Sequence, residues 1–188
     1  MAVQLLRRRF TVEDYYRMAE AGILTVDDRV ELLDGEVVEM TPIGSRHAAC
    51  VARLTRLLSA AVGDRAIVWV QNPIRLGRHS EPQPDLALLR PRPDFYAQAH
   101  PGPEDVLLVV EVADTSVESD RGVKVPLYAR AGIAAAWLVD LAGERLIVHA
   151  APAPEGYRAV HEARPGGRLR LDGLPGLDLA VADVLGTA

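Results

Sequence analysis

One cysteine in 188 residues, one lysine among 21 basic side chains, and 5% aromatics mark this chain by what it nearly lacks. The lone Cys50 rules out an intramolecular disulfide framework; its apolar helical setting reads as a small buried hydrophobe in a reducing compartment. Long apolar runs are also missing, and none reaches the roughly 20 residues needed to span a bilayer. Arg7, Arg8 and Arg9 are followed by Phe10 and then by polar Thr11, Glu13 and Asp14, where a secretory signal would continue with an apolar stretch. A cytoplasmic protein is therefore expected. The histidines, His47, His79, His100, His149 and His161, include no pair at the close helical spacing of a zinc motif. The absence of a Gly-rich phosphate loop, a nucleophile elbow or a Cys–His pairing removes most NTPase, serine-hydrolase and thiol-enzyme readings.

Positive charge is in deficit as well. A net charge of −5 argues against a protein that coats nucleic acid electrostatically. It leaves room for an enzyme acting on nucleic acid, because carboxylates gathered around a divalent metal are themselves a local sink of negative charge. Arg75, Arg78, His79, Arg90 and Arg92 are a candidate basic strip, with a plain solvated face as the alternative. What remains, 49% hydrophobic and 25% charged residues, suits one globular domain over residues 1–188 with an ordinary core.

The single lysine is Lys124. Where nearly every cation is arginine, a lysine persists most readily where a guanidinium will not serve, because an ammonium is a compact point charge that fits beside a metal-bound water or a phosphate. Survival by accident is the competing explanation.

The organisation reads as α+β. Thr11 with Asp14 resembles a capping box opening a helix through Tyr15, Met18 and Ala19 that stops at Gly22. Val30, Leu32 and Leu33, the Asp34-Gly35 pair, and Val37, Val38 and Met40 predict a β-hairpin. Ser45 is the next expected cap, before Val51, Leu54, Leu58 and Ala61 at helical spacing. Ala66 to Val70 and Ile74 to Leu76 predict a strand pair around Asn72-Pro73. Leu86 to Leu89 and Val106 to Val112 have the composition of central strands covered on both faces. The segment between them, with Pro91, Pro93, Pro101 and Pro103, is expected to be a long loop of the kind that carries binding function or closes over a site. Past Asp114, Thr115 and Ser116 a helix is expected to about Arg130, closed by Gly132, with Lys124 in its first half and Pro126 forbidding an undistorted interior. Ala135 to Val139 reads as another buried strand, followed by short strands and turns. Asp85 and Glu111 lie on the two central strands, and ionised carboxylates there call for a shared cation or an arginine partner.

Arg29-Val-Glu-Leu-Leu-Asp-Gly-Glu36, Pro84-Asp-Leu86, Val110-Glu-Val112, Lys124 with Tyr128-Ala-Arg-Ala-Gly132, and Trp137-Leu-Val-Asp140 occur in an order that resembles a restriction-endonuclease family, formerly a domain of unknown function. That family belongs to the PD-(D/E)XK nuclease superfamily, and the resemblance covers about residues 10 to 150. It implies a restriction-endonuclease-like mixed β-sheet flanked by helices, with an N-terminal helix and hairpin and extra C-terminal strands. Carried over by position, Asp85 is the acid of the PD motif and Glu111 the first residue of (D/E)XK. Both would ligate Mg²⁺, or Mn²⁺ in its place, with the Val112 carbonyl as a third oxygen. Glu31 corresponds to the acid of the N-terminal region. The motif's lysine position holds Ala113; in this family the lysine is thought to have moved to the following helix, where only Lys124 can serve. His47, Gln83 and Tyr128 are further candidates, for facing the cleft, reaching the site and packing near it. The expected activity is endonucleolytic hydrolysis of DNA phosphodiesters, with a homodimer expected. A catalytically inactive nuclease-fold module for nucleic-acid binding or assembly, and a metal phosphoesterase for small substrates, are the alternatives.

Overall fold

The computed structural model describes residues 7–114 and 120–187. Thr115 and Ser116, and the expected start of the helix beyond them, lie outside these residues.

Thr11 caps α1 (Val12–Glu20) as a full capping box: its hydroxyl accepts from the Asp14 N–H at 3.1 Å, and its own N–H donates to the Asp14 carboxylate at 3.0 Å. The hairpin follows as β1 (Val30–Leu33) and β2 (Glu36–Glu39), paired antiparallel with Leu33 opposite Glu36. Asp34 and Gly35 both have positive φ, 48° and 81°, the two-residue turn whose twist matches a hairpin. Tyr15 donates to the Val30 carbonyl at 3.0 Å, and Tyr16 donates to buried Glu81 at 2.6 Å, docking α1 on the hairpin and on the segment that leads to Pro84.

α2 (Ser45–Val62) turns Cys50, Val51, Leu54 and Leu58 into the core, as its spacing requires. Its cap differs from expectation. Ser45 is already helical, Gly44 occupies the cap position in extended backbone, and no side chain caps the end.

The main sheet has the order β3-β4-β5-β6-β7-β8, formed by Ile67–Val70, Leu86–Leu89, Val106–Ala113, Ala135–Asp140, Arg145–Ala153 and Gly156–Ala163. Only β5 and β6 run parallel, because the helical segment between them carries the chain back across the sheet. One face packs on α2 through Leu86, Leu88, Val110 and Trp137; the other buries Ala87, Leu89, Val109 and Tyr128. Ile74 to Leu76 form no strand, contrary to the sequence pattern. Gln71 turns the chain at φ 48°, Pro73 has no N–H, and residues 74–82 close a narrow loop in which Ile74 N bonds the Pro82 carbonyl at 3.0 Å. β3 pairs with β4 instead.

Residues 120–124 form a π-type turn that continues into α3 (Val125–Arg130), with Pro126, which has no N–H to donate to the preceding turn, just after the junction. The C-terminal strands are longer than expected: β7 has nine residues and β8 eight. They are followed by a small pair, β9 (Arg168–Arg170) and β10 (Asp178–Ala180), and by a short helix, α4 (Val181–Leu185), that the sequence reading missed. Arg53 of α2 donates to the carbonyls of Val184 and Leu185 at 3.3 and 2.9 Å, fixing α4 on the α2 face. No helix among the described residues is long and apolar enough to cross a membrane.

Candidate active site

Alternate residues of a strand take opposite faces, so Asp85, just before β4, is in phase with Ala87 and Leu89, and Glu111 with Val109. β4 and β5 are neighbours, and the two acids meet at the end of the sheet where Asp85 N approaches Glu111 Oε2 at 3.4 Å. Both line a cleft of about 780 Å³ together with Glu31, His47, Gln83, Val112 and Lys124.

The protein's donors are divided unevenly over each carboxylate. Asp85 Oδ2 accepts the Val112 N–H at 2.9 Å and lies 2.9 Å from His47 Nε2, whereas Oδ1 takes only Gln71 Nε2 at 3.3 Å among the described contacts. Glu111 Oε1 accepts the Tyr128 hydroxyl at 2.5 Å and sits 3.4 Å from Lys124 Nζ, whereas Oε2 has the long contact to Asp85 N. Each acid is thus steered through one oxygen. The other is left lightly engaged.

Val112 adds a backbone group. Its N–H points to the β4 edge, and in an extended strand the carbonyl of the same residue points that way too. Continuing the register in which Leu86 faces Val110 places Pro84 opposite Val112, and proline has no N–H to offer that carbonyl. The two lightly engaged carboxylate oxygens and this carbonyl are hard donors of the kind Mg²⁺ or Mn²⁺ takes. Among the described residues no three His, Cys, Asp or Glu side chains are gathered for a metal, so side chains alone do not complete a ligand set.

Lys124 projects into the same cleft. Its Nζ lies 3.0 Å from Glu31 Oε1, and Glu31, 5% exposed on β1, is anchored through Oε2 by the Gln83 N–H at 2.9 Å. Burial pushes Glu111 up to about 8, with Lys124 opposing the rise and Asp85, Asp120 and Glu31 adding to it. Burial pulls Lys124 down, but the attraction of Glu111 and Glu31 outweighs it and holds the ammonium above its usual range. Burial and Glu111 keep Tyr128 protonated, its hydroxyl raised well above the ordinary value. The hydrogen bond to Asp85 raises His47.

All five residues singled out as site candidates, Glu31, Asp85, Glu111, Val112 and Lys124, therefore line one cleft. His47 faces it and contacts Asp85, and Tyr128 packs beneath it. Gln83 reaches Glu31 through its backbone, while its side chain turns to the Gln71 carbonyl at 2.6 Å. Gln71 itself was missed, since a single glutamine after a strand carries no chemical signal. Two further features lie away from this cleft. The proline-bearing loop lies elsewhere: Pro91, Pro93 and Phe95 line a second cavity beside Trp69 and the end of α2. None of Arg75, Arg78, His79, Arg90 and Arg92 lines the cleft; Arg75 pairs with Glu81, Arg92 with Asp94, Arg90 with the Glu104 carbonyl, and His79 with the Phe10 carbonyl.

Comparison with known proteins bears on the fold and the family. A crystal structure described as a "putative nuclease belonging to DUF820" from Anabaena variabilis superposes with a TM-score of 0.74 over 94% of this chain and 98% of that one, at 12% identity. That likeness shows the fold. No curated protein matches. The family described as "Putative restriction endonuclease" matches residues 12–182, nearly the whole length, and the chain belongs to this family, Uma2.

Proposed function

We propose that the protein is a Mg²⁺-dependent DNA endonuclease whose metal is held by Asp85, Glu111 and the Val112 carbonyl. The observation that carries this reading is the division of donors: protein groups occupy Asp85 Oδ2 and Glu111 Oε1 and leave Oδ1 and Oε2 lightly engaged in the same cleft, with the amine of Lys124 3.4 Å from Glu111. A bound divalent ion supplies a water of lowered pKa and neutralises charge on the phosphoryl oxygens.

The chain's own residues do the rest. Glu31 keeps Lys124 charged and aimed across the cleft, where the ammonium orients the attacking water and stabilises charge on the phosphorane-like transition state. Tyr128 holds Glu111 by one oxygen, and Val112 N–H with His47 holds Asp85. These are oriented ligands of the kind that outer hydrogen bonds secure. No covalent enzyme intermediate is needed.

The test is nicking of supercoiled plasmid by the purified protein with Mg²⁺ or Mn²⁺, arrest by EDTA, and loss in Asp85→Asn and Glu111→Gln. Metal-independent nicking, or equal nicking by those variants, removes the reading.

A further inference from the structure

We infer that the N-terminal arm, Arg7 to Arg9, together with Arg29 forms a phosphate track that holds the backbone of duplex DNA along one wall of the cleft. This rests on the nuclease reading above and names the surface that brings substrate to that site.

The need for such a track follows from charge. The protein carries −5 overall, and eight carboxylates line the cleft against three permanent or near-permanent cations, Arg9, Arg29 and Lys124. A polyanion approaching that mouth is repelled unless cations lie where its phosphates lie. Lys124 is turned inward to Glu31 and Glu111, Arg75 and Arg92 pair with Glu81 and Asp94 outside the cleft lining, and Arg46 and Arg130 are held at its rim by Asp114 and Asp34 at 2.9 and 2.7 Å. Arg9 and Arg29 are the arginines on its wall among the described residues.

The arm is built into that wall. Phe10 N donates to the Gly35 carbonyl at 2.9 Å, and His79 Nδ1 lies 2.8 Å from the Phe10 carbonyl, so the chain beside the arginines is fixed on both sides. Gly35 has the room this requires: a Cβ there would stand 2.5 Å from Arg9 Cβ. Arg29 sits directly before β1, its carbonyl accepting from Met40 N at 2.8 Å, two residues from Glu31. All four arginines are exposed. Arg7 pairs with Glu36 at 3.2 Å, but both side chains are mostly in water, 81% and 61% exposed, and such a pair has little net worth. A phosphate, which a guanidinium grips with two parallel hydrogen bonds, displaces it readily. Arg9 on the wall, Arg7 at Glu36 and exposed Arg8 between them thus give the mouth of the cleft an anchored cationic edge.

The experiment is anisotropy of a labelled duplex in EDTA, read across a KCl series, with plasmid nicking measured in parallel. Replacing Arg7, Arg8 and Arg9 by Ser should make the slope of log affinity against log salt shallower by about 0.9 per lost phosphate contact, about 2 to 3 in all. Arg29→Ser should lower it by about 1. The corresponding triple Lys variant should restore most of the slope, which separates lost charge from a displaced arm, and Arg158→Ser, on exposed β8, should leave it unchanged. Slopes equal to the parent's in the triple Ser variant and Arg29→Ser overturn the track while parental nicking still stands for the nuclease. A parent that neither nicks nor binds duplex overturns both.

Discussion

Lys124 shows how much a single residue depends on its partners. Its amine is held between Glu31 at 3.0 Å and Glu111 at 3.4 Å, a slot shaped for a compact charge. Lys124→Arg keeps the charge but brings a planar fork that directs its donors elsewhere, so cleavage is expected to fall by about 10² or more, roughly 2.7 kcal/mol of transition-state stabilisation. Metal-dependent nicking by parent and variant at matched thermal stability decides it, and equal rates reduce Lys124 to a positive charge on a helix. Tyr128 acts one turn further on. Its buried hydroxyl gives Glu111 Oε1 a 2.5 Å hydrogen bond, which leaves Oε2 as the oxygen turned toward Asp85. Tyr128→Phe keeps the ring and removes that direction, so Mn²⁺ affinity by calorimetry should weaken about 10- to 100-fold. An unchanged Kd would show that packing alone sets the Glu111 rotamer.

At the scale of elements, the start of β4 is decisive because a proline stands where the ladder would continue. Pro84 gives no N–H to the carbonyl of Val112, and Pro84→Ala supplies one. The new pairing would extend the β4–β5 ladder, with its gain of about 1 kcal/mol offset by the extra freedom of the unfolded chain. Melting temperature should stay nearly constant while Mn²⁺ affinity falls about tenfold; the reverse pattern would mean that Val112 O is irrelevant to the ion. Elements whose cause is local were legible in the sequence: the Thr11 capping box, the Asp34-Gly35 turn and the apolar runs of β4 and β5 each appear where their residues require. Contacts that depend on tertiary register were not. Asp85 is 38 residues from His47, and nothing in either neighbourhood announces that α2 begins against the start of β4. The five residues of α4 are too few to display a helical period, and Ile74 to Leu76 have strand composition but lie in a loop closed on Pro82. For the candidate site, the ordered motifs pointed to the acids and the lysine, and His47, Gln83 and Tyr128 were legible as neighbours, whereas which oxygen each of them engages, and the parts of Gln71 and the Val112 N–H, came only from the fold.

The whole molecule carries an electrostatic signature of this cleft. Asp14, Asp28, Asp94 and Asp178 are held below the usual carboxylate value, chiefly by hydrogen bonds to backbone, to Thr11 and Thr25, and to arginines. They contribute stability that is present above the ordinary value and lost as pH falls through their lowered ones. All four are screened by solvent, so this acid limb should be shallow. The cleft acts in the opposite direction. Burial raises Glu111 from 4.5 to about 8, and the Asp85 hydrogen bond raises His47 above 6.5. Both therefore bind a proton more tightly in the folded than in the unfolded chain, and their contribution is complete below the unfolded values and lost as pH rises through the folded ones. Metal-free protein is thus expected to lose melting temperature from about pH 5 to pH 8. In the proposed site the ion takes the place of the Glu111 proton, so saturating Mg²⁺ should flatten that decline and raise the melting temperature most at the alkaline end. Scanning calorimetry at several pH values, in EDTA and in Mg²⁺, is the measurement. A metal-free melting temperature that climbs between pH 5.5 and 8 would contradict the buried, proton-holding Glu111, and a Mg²⁺ effect independent of pH would place the ion away from it.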